Sequence, residues 1–368
     1  MSIGTPGDSS TQALHNIDSA SSRRGFLRAS GLISLGLGFP SVLGWAMGRD
    51  STWPVRRWMV DALDGQFHVI EQGEGPAVLF CHGFPDTAET WRSQMQAVAE
   101  AGYRAVAVDM RGYGLSFAPD DPDLYTALHI TGDLVSVLDA LSIETAVIVG
   151  HDWGAYQSQL AALMRPDRFH ALVSISIPFA PRTEVNPLQF LYDHGLEDRY
   201  YHFQLAKSGT EALFADAERS IPSILYWLSA SPQPALRWNP LDPQLHMLRA
   251  APVALPAWAD PHYVRHTIEA FQRTGFRGGL NYYRAFPKTF ELMAAYKGAV
   301  IRQPSLYIWG AADGLSQMFH PDTPSLASLR QSQPAIVDQI RLENVGHWVQ
   351  HEGAEQVNQG LTNFLAGL

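Results

Sequence analysis

Cysteine is almost absent from this chain, since Cys81 is the one cysteine among 368 residues. An internal disulfide is therefore excluded, in an oxidising compartment as in a reducing one. Cys81 lies in the apolar stretch Pro76–Gly83 (PAVLFCHG). That setting indicates a small buried hydrophobe and not a reactive thiol.

Basic charge is also scarce, with 26 Lys and Arg against 36 Asp and Glu, a net charge of −10. This balance excludes a nucleic-acid binder, which needs a basic face to meet phosphates. The sequence has no internal repeat and no low-complexity tract, and 46% hydrophobic with 17% charged residues is typical of a globular protein. No His, Asp or Glu cluster has convincing ligand spacing, so we expect neither a metal nor an organic cofactor.

The first 48 residues differ from the rest. Ser21–Gly48 has a basic start, then a moderately apolar stretch rich in Gly and Ser, then small residues. Its SRRGFL motif (Ser22–Leu27) closely resembles the twin-arginine export signal of bacteria. We therefore expect a signal peptide over 1–48, the twin-arginine translocation machinery as partner, and a periplasmic or secreted protein. The alternative is a membrane anchor, because the uncharged run Ala29–Gly48 is about long enough to span, although its Gly and Pro make it weakly apolar.

After the leader, apolar strand-like runs alternate with helical patterns. The strand-like runs are Pro76–Gly83, Tyr103–Met110, Thr145–Asp152, Ala171–Pro178 and Ser305–Asp313. Short runs that are apolar on both faces are typical of buried parallel strands, so the sequence predicts an α/β fold with one mostly parallel, doubly wound sheet. The alternation stops near Pro181 and returns at Ser305. This predicts core residues 53–180, a helical lid over 181–298 inserted between core strands, and core residues 299–368.

Asp152 is the first candidate catalytic residue. The strand pattern TAVIV leads directly into Gly150-His151-Asp152-Trp153-Gly154, and a helical pattern follows. A strand, a tight turn with small flanking residues and a helix form the nucleophile elbow, which lifts its central side chain to the top of the sheet. The alternative is a structural Asp that caps the helix, because Asp is a good N-cap residue.

A second turn predicts backbone donors. His82-Gly83-Phe84-Pro85 (HGFP) follows directly after a strand pattern. In such a fold the N–H after this turn and the N–H after the nucleophile form an oxyanion hole, and here these would be Phe84 and Trp153. We interpret His82 itself as structural.

Asp313 and His347 complete the constellation. Asp313 follows the strand pattern SLYIWGAAD, and His347 follows a short strand pattern in NVGHWV. Nucleophile, acid and histidine then occur in the chain order of the elbow-containing hydrolases. A carboxylate is already ionised at neutral pH and attacks carbon without a base, which leaves His347 to activate water and Asp313 to orient the imidazole. The electrophile is then either a carbon that bears a halide or a ring carbon of an epoxide.

The motifs together resemble the epoxide hydrolases of the α/β-hydrolase superfamily. The resemblance runs from about Trp53 to Leu368 and is carried by HGFP, DMRGYGLS, GHDWG, GGLNYYRA, WGAADGL and GHW. It implies Asp152 as nucleophile, His347 as base, Asp313 as orienting acid, and a diol product formed from a small apolar epoxide and water. In NYYR it implies Tyr283 as a ring-opening proton donor.

The second ring-opening proton donor departs from the family pattern, which has a tyrosine at that position of the lid. RYYHFQLA places His202 best at that position, with Tyr201 beside it as the alternative. A His–Tyr pair also occurs in a secreted bacterial branch related to epoxide hydrolases. That branch orients its histidine from an acid after the earlier strand, where this chain offers only Ser174 and Ser176, so Asp313 keeps the role.

Two other functions stay open on the sequence. A haloalkane or haloacetate dehalogenase would use the same nucleophile, but Phe84 stands where a halide donor is common, and Trp153 where haloacetate enzymes have Arg. A non-catalytic binding protein on the same fold need not keep Asp152, Asp313 and His347 together. Substrate identity, enantiopreference and oligomeric state are not encoded in any motif.

Overall fold

The computed structural model describes residues 54–318 and 325–368. The predicted leader, residues 1–48, lies outside the described residues. None of the described helices is both long enough and apolar enough to cross a bilayer.

One eight-stranded sheet forms the centre of the molecule, with strand order β1-β2-β4-β3-β5-β6-β7-β8. The strands are β1 (Arg56–Asp61), β2 (Gln66–Gln72), β3 (Ala77–Cys81), β4 (Arg104–Val108), β5 (Ala146–His151), β6 (Phe169–Ile175), β7 (Ser305–Gly310) and β8 (Ile336–Leu342). Strands β1, β2 and β4 pair antiparallel, and the other pairs are parallel. The predicted fold class is confirmed.

Helices cover both faces of the sheet. The first three are α1 (Arg92–Glu100), α2 (Ala127–Ala140) and α3 (Trp153–Met164). Because side chains alternate along a strand, Val78 and Phe80 of β3 pack with α1 residues in one cluster, whereas Leu79 and Cys81 pack with α2 and α3 residues in the other. Cys81 is fully buried, in agreement with its expected role as a small hydrophobe.

Helices also make up the long connection from β6 to β7. These are α4 (Pro187–Asp193), α5 (Tyr201–Ala206), α6 (Glu211–Phe214), α7 (Ala217–Leu228), α8 (Pro261–Thr274) and α9 (Arg277–Leu292). They fall inside the predicted lid, 181–298. After β7 come α10 (Leu326–Ser332), α11 (Val349–Glu352) and α12 (Ala354–Ala366). Helix α12 buries Val357, Leu361 and Leu365 against the α1 face, as its amphipathic pattern predicts.

Strands β1 and β2 were not predicted from the sequence, and β8 was predicted only as a short strand before His347, without bounds. Five of the six β1 residues are exposed, and β8, at the far edge of the sheet, is buried only at its end residues Ile336 and Leu342. Strand β2 is buried but carries His68, Glu71 and Gln72. These strands lack the continuous apolar run by which the five inner strands were recognised.

Candidate active site

Asp152 occupies the turn between β5 and α3, at the centre of the sheet. Its backbone has φ 53° and ψ −123°, a left-handed conformation that is strained for a residue with a side chain. Gly154 permits this turn, because a Cβ there would collide with the main-chain carbonyl of Cys81. The Asp152 side chain makes no helix-capping hydrogen bond, and its contact with the Trp153 N–H lies at the elbow itself, so the geometry does not support the alternative of a simple helix cap.

Backbone donors hold the carboxylate of Asp152. The N–H of Phe84 donates to Asp152 Oδ1 at 2.9 Å, and the N–H of Trp153 also hydrogen-bonds this carboxylate. These are the two N–H groups predicted for the oxyanion hole. Gly83 lets the HGFP turn approach, since a Cβ there would collide with Asp152 Oδ1. The positive end of α3 points at the same carboxylate and favours its charge.

His347 bridges the other oxygen of Asp152 to Asp313. Its Nε2 lies 3.6 Å from Asp152 Oδ2, and its Nδ1 lies 3.1 Å from Asp313 Oδ2. Both the histidine and Asp313 are buried. A proton on Nδ1 shared with Asp313 leaves Nε2 facing Asp152, which is the orientation that a water-activating base needs.

Ser176 is a site residue for which the sequence analysis predicts no role. Its hydroxyl donates to Asp313 Oδ2 at 2.6 Å and lies 3.3 Å from His347 Nδ1. It follows the end of β6 in a left-handed conformation, φ 71°. Its position after a strand next to β7 was the available signal, because parallel strands bring their carboxyl ends to one edge of the sheet.

Burial and mutual charge set the protonation of this pair. Burial raises the pKa of Asp152, while the His347 charge and the N–H donors of Phe84 and Trp153 oppose the rise. Burial also lowers the pKa of His347, but the charges of Asp313 and Asp152 outweigh it and raise that pKa to about 9. Asp152 and His347 therefore stabilise each other as an ion pair.

Tyr283 of α9 faces the nucleophile. Its ring packs edge-on to Trp153 at 4.9 Å and to Phe84 at 5.7 Å, and its side chain is 3% exposed. Burial and the nearby charge of Asp152 hold the pKa of Tyr283 well above its ordinary value. The phenol is therefore protonated at neutral pH and able to donate.

His202 and Tyr201, at the start of α5, lie on the same side of the site. His202 Nε2 is 3.0 Å from the main-chain carbonyl of Tyr283, and burial lowers the pKa of His202 to about 4, so the ring is neutral and donates this bond. Burial holds the pKa of Tyr201 well above its ordinary value, and the neighbouring groups Tyr200, Tyr283, Asp152 and Asp313 raise it further. Tyr200 lines the cavity beside Tyr201 and His202, although no sequence motif marks it as a site residue.

Comparison with known proteins identifies the family. The chain matches the model of the α/β-hydrolase fold family over residues 76–354. It is 51% identical to an epoxide hydrolase of Caballeronia sordidicola over 87% of this chain and 96% of that protein. It is 36% identical to epoxide hydrolase A of Mycobacterium tuberculosis (strain ATCC 25618 / H37Rv), over 84% of this chain and 97% of that protein. The chain belongs to the epoxide hydrolases of the α/β-hydrolase fold.

Solved structures of epoxide hydrolases have the same architecture. An epoxide hydrolase from an endophytic Streptomyces superposes with a TM-score of 0.78 at 36% identity, covering 85% of this chain and 96% of that one. Epoxide hydrolase A from Mycobacterium thermoresistibile also gives 0.78, at 34% identity, covering 86% and 99%. The predicted assignment to epoxide hydrolases is confirmed.

The cavity at the nucleophile of this epoxide hydrolase is small and mostly apolar. It has a volume of about 190 Å³, and its walls include Asp152, Trp153, Tyr156, Leu188 and Phe286. Within 54–318 and 325–368, no three His, Cys, Asp or Glu side chains are grouped as metal ligands. The polar residues in its walls include Asp152, Tyr200, Tyr201 and His202.

Proposed function

We propose that this epoxide hydrolase converts a small apolar epoxide to a vicinal diol through an alkyl ester on Asp152. The observation that supports this most directly is that the two oxygens of the Asp152 carboxylate have different partners. Oδ1 accepts the N–H of Phe84 at 2.9 Å, whereas Oδ2 lies 3.6 Å from the His347 imidazole. One oxygen is held and the other is free to attack.

In the first half-reaction, Asp152 Oδ2 attacks one epoxide carbon and forms a C–O bond. The bond from that carbon to the ring oxygen breaks, its electron pair stays on the oxygen, and the Tyr283 hydroxyl supplies the proton. Tyr283 has the protonated state this step needs, since burial and Asp152 raise its pKa. The product is a β-hydroxyalkyl ester whose carbonyl oxygen is Asp152 Oδ1.

In the second half-reaction, water attacks the ester carbonyl carbon of Asp152. His347 takes one proton from this water at Nε2, and Asp313 stabilises the imidazolium through Nδ1. The negative charge that develops on Oδ1 is stabilised by the N–H of Phe84, which already donates to this oxygen at 2.9 Å, and by the N–H of Trp153, which also interacts with the Asp152 carboxylate. Collapse breaks the bond between the Asp152 carbonyl carbon and the alkyl oxygen, and this diol oxygen takes the proton back from His347. Asp152 leaves the step as a carboxylic acid, and its proton restores the Tyr283 phenol that was deprotonated in the first half-reaction.

The second ring-opening donor is either His202 or Tyr201. His202 is the sequence-based prediction, and its Nε2 proton is engaged by the Tyr283 carbonyl at 3.0 Å. Tyr201 lines the same cavity as Asp152, whose charge is among the causes that raise the pKa of this tyrosine. Because the Nε2 proton of His202 is already donated to the Tyr283 carbonyl, we favour Tyr201 as the second proton donor. His202 then holds the main chain of Tyr283 in place.

Intact mass of a stalled intermediate tests the proposal. His347→Gln protein, incubated with styrene oxide, should gain the mass of the whole epoxide on a peptide containing Asp152, because the ester forms but water is not activated. A matched sample with 1-bromobutane separates the dehalogenase alternative, which would add only the butyl group. The double variant His347→Gln/Asp152→Asn is the control and should gain nothing. A folded His347→Gln protein that stays unmodified by both reagents contradicts the proposed nucleophile.

We further propose that the chain is exported by the twin-arginine route to the periplasm or the medium. The support is the sequence Ser22-Arg23-Arg24-Gly25-Phe26-Leu27 and the weakly apolar stretch after it. That route carries folded proteins, and a chain with one cysteine needs no oxidising compartment to fold.

A further inference from the structure

Ser176 is fixed to the strand that carries Asp313. Its N–H donates to the main-chain carbonyl of Ile308 at 2.9 Å, and its own carbonyl accepts the hydroxyl of Tyr307 at 2.8 Å. Both partners belong to β7, and Asp313 follows the end of that strand. The left-handed backbone of Ser176, φ 71°, is strained for a residue with a side chain and persists because these contacts hold it.

The Ser176 hydroxyl shares one oxygen of Asp313 with the catalytic histidine. It donates to Asp313 Oδ2 at 2.6 Å, and His347 Nδ1 lies 3.1 Å from the same oxygen. The other oxygen, Oδ1, accepts the N–H of Leu315 at 2.9 Å. Ser176, Asp313 and His347 are all buried, so the orientation of the Asp313 carboxylate is set by these donors and not by bulk water.

A second donor changes what Asp313 offers to His347. A carboxylate oxygen that accepts a short O–H hydrogen bond gives up part of its negative charge to that donor. Without the Ser176 hydroxyl, more of the Asp313 charge would face the imidazole. The pKa of His347, which the charge of Asp313 already raises, would then rise further.

The other titratable groups around His347 stay the same when Ser176 alone is altered. The charges of Asp152 and Glu352 raise the pKa of His347. The His151 ring lies 4.7 Å away and is neutral, because burial and the His347 charge hold its pKa well below its ordinary value. A change at Ser176 therefore reaches His347 through Asp313.

The step at which this matters follows from the charge of Asp152. In the ester Asp152 has lost its charge, so Asp313 is then the carboxylate in contact with His347. The second half-reaction needs a neutral imidazole to take a proton from water. The first half-reaction needs only the ionised Asp152 and the lid donors.

We infer that Ser176 is a positioning residue for ester hydrolysis, whose hydroxyl fixes Asp313 Oδ2 toward His347 and limits how strongly Asp313 holds His347 in its charged form. The inference rests on the proposed function and adds a residue that controls its second step.

Three substitutions separate the hydroxyl from the backbone. Ser176→Ala removes the donor. Ser176→Gly also removes it but relieves the left-handed strain, which provides a folded hydroxyl-free protein if alanine is not tolerated. Ser176→Asn supplies an amide donor, and asparagine accepts this backbone conformation. Ser174→Ala is the matched control, a buried serine of the same strand whose hydroxyl accepts a hydrogen bond from Gln159.

Rapid-quench mass spectrometry with styrene oxide measures ester formation and ester hydrolysis separately in each protein, across the pH range in which it stays folded. In Ser176→Ala and Ser176→Gly, the pH at which hydrolysis reaches half its maximal rate should rise by about one unit, which slows hydrolysis about tenfold on the acidic side. The rate at high pH and the rate of ester formation should be unchanged, so ester accumulates near neutral pH. Ser176→Asn and Ser174→Ala should lie close to the wild type.

A uniform loss of hydrolysis at every pH in the hydroxyl-free variants, or an unshifted profile, would overturn the positioning role. An equal shift in Ser176→Asn or in Ser174→Ala would do the same, because the donor would then not be the cause. A wild type that forms no ester at all would instead count against the proposed function, and the inference would fail with it.

Discussion

His347 lies between two carboxylates, and only one of them keeps its charge through the reaction. The charges of Asp313 and Asp152 together raise the pKa of His347 to about 9. Once Asp152 is an ester, its contribution disappears, while that of Asp313 remains. The pKa of His347 then falls, so the imidazole becomes a free base at the step in which water must lose a proton.

The same coupling predicts a pH effect on the alkylation step. Burial raises the pKa of Asp152, and the His347 charge opposes this rise. Removing that charge by His347→Gln should raise the Asp152 pKa further. As the pH falls, ester formation should therefore begin to slow at a higher pH in the variant than in the wild type. Rapid-quench mass spectrometry measures the rate of ester formation across pH in the wild type and in the variant. If the rate fell at the same pH in both proteins, the ionisations of Asp152 and His347 would not be coupled.

Three lid substitutions distinguish the proton donors. Tyr283→Phe should slow ester formation about 10²-fold, the usual effect of losing one general acid. Tyr201→Phe should slow it similarly if Tyr201 is the second donor. His202→Gln keeps an N–H for the Tyr283 carbonyl and should then change the rate little. Single-turnover kinetics with styrene oxide decide this, and a large loss in His202→Gln alone assigns the proton to His202.

Asp86 is a buried carboxyl group that the mechanism does not use. Tyr263 donates to its Oδ1 at 2.9 Å, while its Oδ2 has no hydrogen-bond partner within the described part of the chain. Burial raises the pKa of Asp86 to about 7. Because the folded-state pKa lies above the unfolded one, this group contributes stability at low pH that is lost as pH rises through 7.

Asp86→Asn should therefore raise Tm at pH 8.5 by a few degrees and change it little near pH 4, since Asn keeps an acceptor for Tyr263 without the charge. Thermal unfolding at both pH values measures this. A loss of stability at pH 8.5 would mean that the ionised carboxylate is stabilised in the fold.

At the scale of elements, α3 approaches β3 closely enough to require glycine. A Cβ on Gly154 would collide with the Cys81 carbonyl, whereas a Cβ on Gly132, within α2, would meet nothing within 4 Å. The same substitution should then have opposite effects in two helices. Gly132→Ala should stabilise by up to about 1 kcal/mol, because Ala is the better helix former.

Gly154→Ala should lower Tm and also reduce kcat, because α3 must shift and carry the Trp153 N–H away from Asp152. Thermal unfolding and styrene oxide turnover of both variants provide the comparison. If both alanines behaved alike, the helix–strand contact would not be tight at the elbow.

Strands β3 to β7 were recognisable from continuous apolar runs in the sequence, whereas β1 and β2 were not. Strands β3 and β5 are apolar on both faces, since each has helices on both sides. Strand β1 pairs with one neighbour and exposes most of its residues, so no apolar pattern marks it. Its pairing with β2 depends on contacts that a local pattern does not contain.

For the whole molecule, the export proposal predicts where activity is found. In the double variant Arg23→Lys/Arg24→Lys the charge is kept but the guanidinium pair is lost, and lysine does not replace arginine where its planar fork is recognised. Epoxide hydrolase activity should disappear from the periplasm or medium and accumulate in the cytoplasm at unchanged total. Activity that stays exported in the double variant contradicts the route, and wild-type activity confined to the membrane fraction supports the anchor instead.

The sequence by itself determined the elbow at Asp152, because that structure is local. A buried strand, two flanking glycines and a helix lie within a few residues of one another. The chain order of nucleophile, acid and histidine added Asp313 and His347, although the chain has 14 histidines. The HGFP turn supplied Phe84 in the same way, from a strand end and a short motif.

Only the tertiary structure decided which distant groups meet. The Ser176 hydroxyl reaches Asp313 across 137 residues of chain. The engagement of His202 by Tyr283, and the cavity beside Tyr201, depend on how the lid helices pack on the core. Such contacts are set by sheet pairing and helix packing between segments remote in the chain, and these leave no mark in any short stretch of sequence.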